Sequence, residues 1–181
     1  MQNARKVQSE ETRLHLRDAH SRVMSIATLQ QQLAASGLGD VEIRPYLTQL
    51  CRSIAASMIP DPERLTLDVV GDDSTTTGDI SVSLGLIVTE LVINAIKYAF
   101  PSPRADSLVL VRFESDGDAW VLSVTDNGVG AAVTAAPLSH GGLGTAIVEA
   151  LAKQLDARMD VRTAVGMAVS IRHDSLPAQG P

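Results

Sequence analysis

The chain has 181 residues, 45% of them apolar and only 3% aromatic, with a formal net charge of −6. That length suits one ordinary domain, or a domain with a helical appendage, around a core of Ala, Val, Leu and Ile. The negative charge argues against a nucleic-acid binder, whose surface must be basic to meet phosphates. Cys51 is the single cysteine. An internal disulfide and a cysteine-based zinc site are therefore excluded, and a reducing, cytoplasmic setting fits.

Met1 to Arg13 is polar and charged without an apolar stretch, so it does not read as a secretory signal. It reads as a helix already under way, which suggests a longer parent protein. No apolar run reaches the roughly 18–20 residues that span a bilayer, so no membrane segment is expected. Leu16, Val23 and Gln30 repeat at seven residues, as do Ala19, Ile26 and Leu33. The two sets share one helical stripe, the seam of a hairpin or coiled coil through which a homodimer would form. Gly37-Leu38-Gly39-Asp40 ends that helix.

Residues 44–58 form a second amphipathic helix, with Pro45 in its first turn and Pro60 and Pro62 beyond its end. Arg64 to Val70 alternates like a half-buried strand, and Gly71 to Gly78 reads as polar loop. Ser81 to Ala99 is the strongest helix, stopped by Pro101 and Pro103. Two strands near 107–114 and 119–125 are joined by Ser115-Asp116-Gly117-Asp118. A glycine- and alanine-rich stretch at 127–142 precedes a helix from Gly144 to Leu155. Strands near 158–163 and 167–173 follow. The pattern implies an α+β fold with a helical layer on one face of a mixed, mostly antiparallel sheet. The expected division is a helical segment at 1–40, a globular domain at 41–174 and a disordered tail at 175–181.

Three elements carry chemistry. In Glu90-Leu91-Val92-Ile93-Asn94-Ala95-Ile96-Lys97-Tyr98, Glu90 and Asn94 are four apart and share a helix face. An Asn amide oxygen suits Mg²⁺, which takes hard oxygen ligands and keeps water and phosphate oxygens around it. Read alone, the segment equally suits a solvent-facing polar stripe. In Asp126-Asn127-Gly128-Val129-Gly130, a carboxylate at a strand end can accept an exocyclic amine, and glycines let backbone approach a flat ring. Asn-Gly is also a common turn dipeptide. In Gly141-Gly142-Leu143-Gly144-Thr145, glycines open a helix whose free N–H groups suit phosphate oxygens. This is neither a Walker A loop nor a Gly-x-Gly-x-x-Gly fingerprint.

Together and in this order, the three elements resemble the ATP-binding domain shared by sensor histidine kinases, DNA gyrase B, Hsp90 and MutL. The resemblance covers roughly residues 80–173. Within it, "LGLIVTELVINAIKYAFP" is similar to the histidine kinases of the HisKA_2 and HWE type. It implies a two-layer α/β sandwich, the Bergerat ATP-binding fold, preceded by a long helix from a dimerisation hairpin. It implies that ATP and Mg²⁺ bind, with Asn94 ligating the metal and Glu90 beside the metal and its waters. Lys97 and Tyr98 would lie near the phosphates or ribose. Asp126 would bond the adenine amine, with Gly128 and Gly130 against the base. Gly141, Gly142, Leu143, Gly144 and Thr145 would lie at the phosphates, with 131–140 as the lid. Met167 departs from the family, which usually has threonine after the glycine, and this implies weaker adenine binding.

The implied activity is transfer of the ATP γ-phosphate to a histidine, with a response regulator as partner. The family's His-Arg-x-x-Asn acceptor motif does not occur in the chain. Residues 16–30 resemble the second helix of the hairpin, which places the acceptor upstream, with His20 and then His15 as alternatives. His140 reads as a lid residue. Two other functions fit the same fold: a degenerate phosphotransfer module that docks a response regulator without ATP, and an anti-sigma serine kinase. ATP hydrolysis without histidine transfer is a further enzymatic alternative.

Overall fold

A computed structural model describes residues 40–102, 104–130, 143–163 and 166–175. The heptad stripe at 16–33, His15, His20, His140, the lid, Gly141, Gly142 and the tail beyond 175 lie outside the described residues.

Helix α1 (Ile43–Met58) forms because Ile43, Tyr46, Leu47, Leu50, Cys51 and Ile54 fall at three- and four-residue spacings and are all buried. Pro45 occupies its first turn, where no intrahelical N–H is needed. Helix α2 (Gly78–Tyr98) is apolar over most of its circumference, with Leu84, Ile87, Val88, Val92 and Ile93 among its buried residues. Each such side chain, fully buried, stabilises the fold by roughly 1.5–3 kcal/mol. Its buried hydroxyls are satisfied within the helix: Ser81 donates to the Thr77 carbonyl at 2.9 Å and Thr89 to the Gly85 carbonyl at 2.8 Å. Asp79 in the first turn and Lys97 in the last suit the helix dipole. Helix α3 is Leu143–Gln154.

Five strands make one sheet: β2 (Leu65–Gly71), β4 (Ser107–Asp116), β5 (Ala119–Asp126), β6 (Arg158–Arg162) and β7 (Met167–His173). Their order is β2-β4-β5-β7-β6. Only β2 and β4 run parallel, joined by a crossover through α2; the other three pairings are antiparallel. Val109, Val111 and Phe113 of β4, Leu122 and Val124 of β5, and Val169 and Ile171 of β7 are buried together on one face. The three helices among the described residues pack on that face, α1 on β2, α2 on β4 and β5, and α3 on β6 and α2. The expected two-layer α+β fold is the observed one.

Three local details differ from the sequence reading. The stretch 71–78 is not all loop. Thr75–Thr76 forms β3, paired antiparallel with β1 (Val41–Glu42), and Ile43 donates its N–H to the Ser74 carbonyl at 3.1 Å. Helix α2 begins three residues earlier than expected, at Gly78, and the Ser81 and Ser83 hydroxyls bond back to the carbonyls of Thr77 and Asp79 in this first part of it. The β4–β5 turn is two residues, since Asp116 and Ala119 still pair and Gly117 takes φ 59°. One helix, Gly78–Tyr98, is after all long and apolar enough by length and composition to cross a membrane. It is the central core helix, and most of it is buried against its own sheet and neighbouring helices.

Candidate functional site

Asp126 is the last residue of β5 and pairs with Val109 on one side and Met167 on the other. Side chains alternate along a strand, so Asp126 shares the helix-covered face with Leu122 and Val124. It is a carboxylate at the rim of an apolar core. Its Oδ1 accepts the Gly128 N–H at 3.0 Å and the Met167 N–H at 3.3 Å. Burial pushes its carboxyl above the ordinary aspartate value, and these two backbone hydrogen bonds only partly offset that. The carboxylate is therefore fixed in orientation through one oxygen, Oδ1.

The corner after Asp126 is tied to the end of α2. Val129 donates its N–H to the Ala99 carbonyl at 3.0 Å. The backbone at Gly128 lies so close to Ala99 that a side chain there would overlap the Ala99 carbonyl. Ala99 is five residues beyond Asn94, about 7–8 Å along the helix axis. The first glycine motif and the end of α2 are thus joined at Ala99.

Glu90 is only 3% exposed, which rules out the solvent-facing stripe for this residue. A Cβ at Gly144 would lie 2.5 Å from Glu90 Oε2 and 3.9 Å from Asn94 Nδ2. Gly144 is the second residue of α3. The Glu90 carboxylate therefore sits against the first turn of α3, where free backbone N–H groups carry positive partial charge. Asn94, Lys97 and Thr145 are half-buried, and Tyr98 is 57% exposed. So α2 and the start of α3 bring a carboxylate, an amide and a helix N-terminus together.

A match to the sequence profile of the histidine kinase-, DNA gyrase B- and HSP90-like ATPases spans residues 79–177. The chain belongs to this family. A second match, to the HisKA_2 histidine kinase family, spans residues 1–58 and so includes α1. The chain is 28% identical over 162 residues to the sensor histidine kinase PdtaS of Mycobacterium tuberculosis, covering 89% of this chain. It spans about a third, 32%, of that relative's length. The histidine kinase domain of the blue-light activated histidine kinase EL346 from Erythrobacter litoralis has the same fold, with TM-score 0.75 and 24% identity, covering 86% of this chain and 73% of that one. A mycobacterial sensor histidine kinase, MprB, gives TM-score 0.56 at 21% identity, over 74% of this chain and 95% of that one.

Two residues outside the three motifs shape this site. Gly166 takes φ 72°, and a side chain there would overlap the Asp126 carbonyl. Its signal in the sequence is the Val-Gly-Met step between two strands, which reads as an ordinary turn. Met167 stands beside Asp126 through the β5–β7 register, so a backbone N–H is supplied there whatever the side chain. Gly130, at φ 68°, would bring a Cβ to 3.1 Å from the Gly166 carbonyl oxygen, so the two glycines are packed together.

Proposed function

We propose that this chain is the catalytic portion of a two-component sensor histidine kinase, which binds Mg·ATP and transfers the γ-phosphate to a histidine. The observation that carries the reading is the approach of Gly144 to Glu90 and Asn94, which sets a helix N-terminus beside an amide and a buried carboxylate. Asp126, fixed through Oδ1, would accept the adenine amine on its other oxygen, with Gly128 and Gly130 beneath the base. The backbone N–H groups around Leu143, Gly144 and Thr145, with Gly141 and Gly142, would hold phosphate oxygens. Lys97 and Tyr98, at the end of α2, would lie toward the phosphates or ribose.

Asn94 would ligate Mg²⁺. Among the described residues no group of three His, Cys, Asp or Glu side chains could hold a metal. That suits a metal held chiefly by phosphate and water oxygens. When bound, Mg²⁺ neutralises developing charge on the phosphoryl group. Glu90 would orient a water or the attacking imidazole and receive its proton. The protein's contribution is then positioning and charge placement.

Residues 1–40 would supply a helical dimerisation segment and residues 41–174 the ATP-binding domain, with a response regulator as partner. The HisKA_2 match at 1–58 favours this over an anti-sigma serine kinase. Titration with Mg·ATP tests the nucleotide site. Saturable binding that Asp126→Asn weakens at least tenfold is expected. No binding at millimolar ATP, with Asp126→Asn indistinguishable from wild type, would return the docking-module reading. Incubation with γ-labelled ATP then finds the acceptor: label that His20→Gln removes puts it in this chain. No label, with nucleotide binding intact, puts it outside these 181 residues.

A further inference from the structure

The Asp126–Gly128 corner is held by a side chain that faces away from the pocket. The β4–β5 ladder ends at the pair Val109↔Asp126. Beyond that pair, Asn127 continues the pairing by itself. Its backbone N–H donates to the Leu108 carbonyl at 3.2 Å. Its side-chain oxygen accepts the Leu108 N–H at 2.8 Å, and its side-chain nitrogen donates to the Asp106 carbonyl at 2.6 Å. An amide has one acceptor and one donor group in a plane, the same complement as a peptide unit. Asn127 thus acts as an extra peptide on the end of the sheet, clamped to the neighbouring strand and the residues just before it.

This clamp matters because the backbone leaves the sheet at this residue. Asp126 still faces the core, while Gly128 and Val129 have crossed to the end of α2 at Ala99. One of the two hydrogen bonds that orient the Asp126 carboxylate comes from Gly128, two residues along the same corner. A corner free to shift would carry the Gly128 N–H, and with it the carboxylate, away from its place.

Resting on the assignment of Asp126 to adenine, we infer that Asn127 is the positioning residue for base recognition: it touches no nucleotide and sets the orientation of Asp126. No neighbouring residue type serves equally. An aspartate side chain at this position would still accept from Leu108 but would turn an oxygen toward the Asp106 carbonyl, acceptor against acceptor. A glutamine would carry the amide one methylene past both partners.

The readout is base discrimination, the ratio of Kd for Mg·GTP to Kd for Mg·ATP on the purified chain. Asn127→Ser and Asn127→Asp are compared with Ser115→Ala, which removes a hydroxyl hydrogen bond to Asp72 at the opposite end of the same hairpin. Melting temperatures are recorded for all. The expected result is a three- to tenfold loss of ATP affinity in both Asn127 variants, with GTP binding unchanged, so that discrimination falls. Ser115→Ala should keep the wild-type ratio. An unchanged ratio in folded Asn127 variants overturns the inference. Should Asn127→Asp fail to fold, Asn127→Ser decides alone, because it adds no charge. A wild-type chain that binds ATP and GTP alike, or neither, overturns the adenine assignment itself.

Discussion

The Tyr46 hydroxyl occupies the space that a side chain at Gly85 would need, locking α1 against α2. Tyr46 is 1% exposed, and burial pushes its phenol well above the ordinary tyrosine value. A methyl at Gly85 would overlap the hydroxyl and lie 2.8 Å from Tyr46 Cζ. The first prediction is that Gly85→Ala destabilises the domain by about 2–3 kcal/mol, as overpacking of a dense core does. Tyr46→Phe in that background should recover part of the loss, since it removes the worse of the two overlaps. Chemical denaturation of the two single variants and the double variant measures the coupling, and strictly additive losses would refute the contact.

The Tyr46–Gly85 contact also shows what a sequence can and cannot reveal. The apolar spacing of α1 and α2 was legible because helical period and burial coincide. The strands of the main sheet were legible because alternation marks a sheet with one buried face. A glycine inside α2 reads only as a weak helix former; its purpose lies in a tyrosine on another helix. The same limit hid β3, whose two threonines pair with a short strand on the far side of α1 and β2. At the site, the three motifs were legible as local chemistry. The roles of Gly166 and Asn127 were not, because each acts on a partner that only the sheet register brings near.

Asp72 links the far ends of β2 and β4. Its Oδ2 accepts the Ser115 N–H at 2.6 Å and the Ser115 hydroxyl at 3.1 Å, and its Oδ1 accepts the Ser74 N–H at 3.1 Å. Burial alone would push its carboxyl up, but the hydrogen bonds from Ser74 and Ser115 outweigh it and leave the group below the ordinary aspartate value. A depressed folded value means stability that is present above the unfolded value and is lost as pH falls through the folded one. Asp72→Ala removes three hydrogen bonds at a solvent-screened site and should cost about 1 kcal/mol or less near neutrality. The cost should vanish on strong acidification, and urea denaturation at several pH values checks this. An equal cost at all pH values would mean that the charge is not involved.

Asp126 has the opposite sign. Burial, the larger cause, raises its carboxyl, and the hydrogen bonds from Gly128 and Met167 offset this only in part. A raised folded value means stability that is full below the unfolded value and declines as pH rises through the folded one. Wherever the side chain is ionised it is held at a cost, as expected of a carboxylate proposed to meet a ligand. Asp126→Asn should therefore leave the melting temperature of the nucleotide-free protein equal or higher at pH 7. It should still weaken ATP binding. With the Asn oxygen accepting the Gly128 and Met167 N–H groups, its amino group would confront the adenine amine, donor against donor. Parallel melting curves with and without Mg·ATP test both halves, and a lower melting temperature without nucleotide would contradict the sign.

Gly144 separates folding from chemistry. A Cβ there would meet Glu90 Oε2 at 2.5 Å, and the atom met is the end of a flexible side chain rather than backbone. The helix can therefore accept alanine, a better helix former than glycine. The carboxylate must then rotate away from the first turn of α3. Gly144→Ala is expected to keep its melting temperature within a few degrees of wild type and to bind Mg·ATP within about fivefold. Turnover should fall by tenfold or more, because the group displaced is the one proposed to act on the proton. Glu90→Gln offers the comparison: it leaves the side chain in place with nearly the same shape and removes only its basicity. Matching losses of turnover in the two variants, measured as ADP release, would tie the effect to the Glu90 carboxylate. A full loss in Gly144→Ala with none in Glu90→Gln would assign it instead to the phosphate-binding backbone.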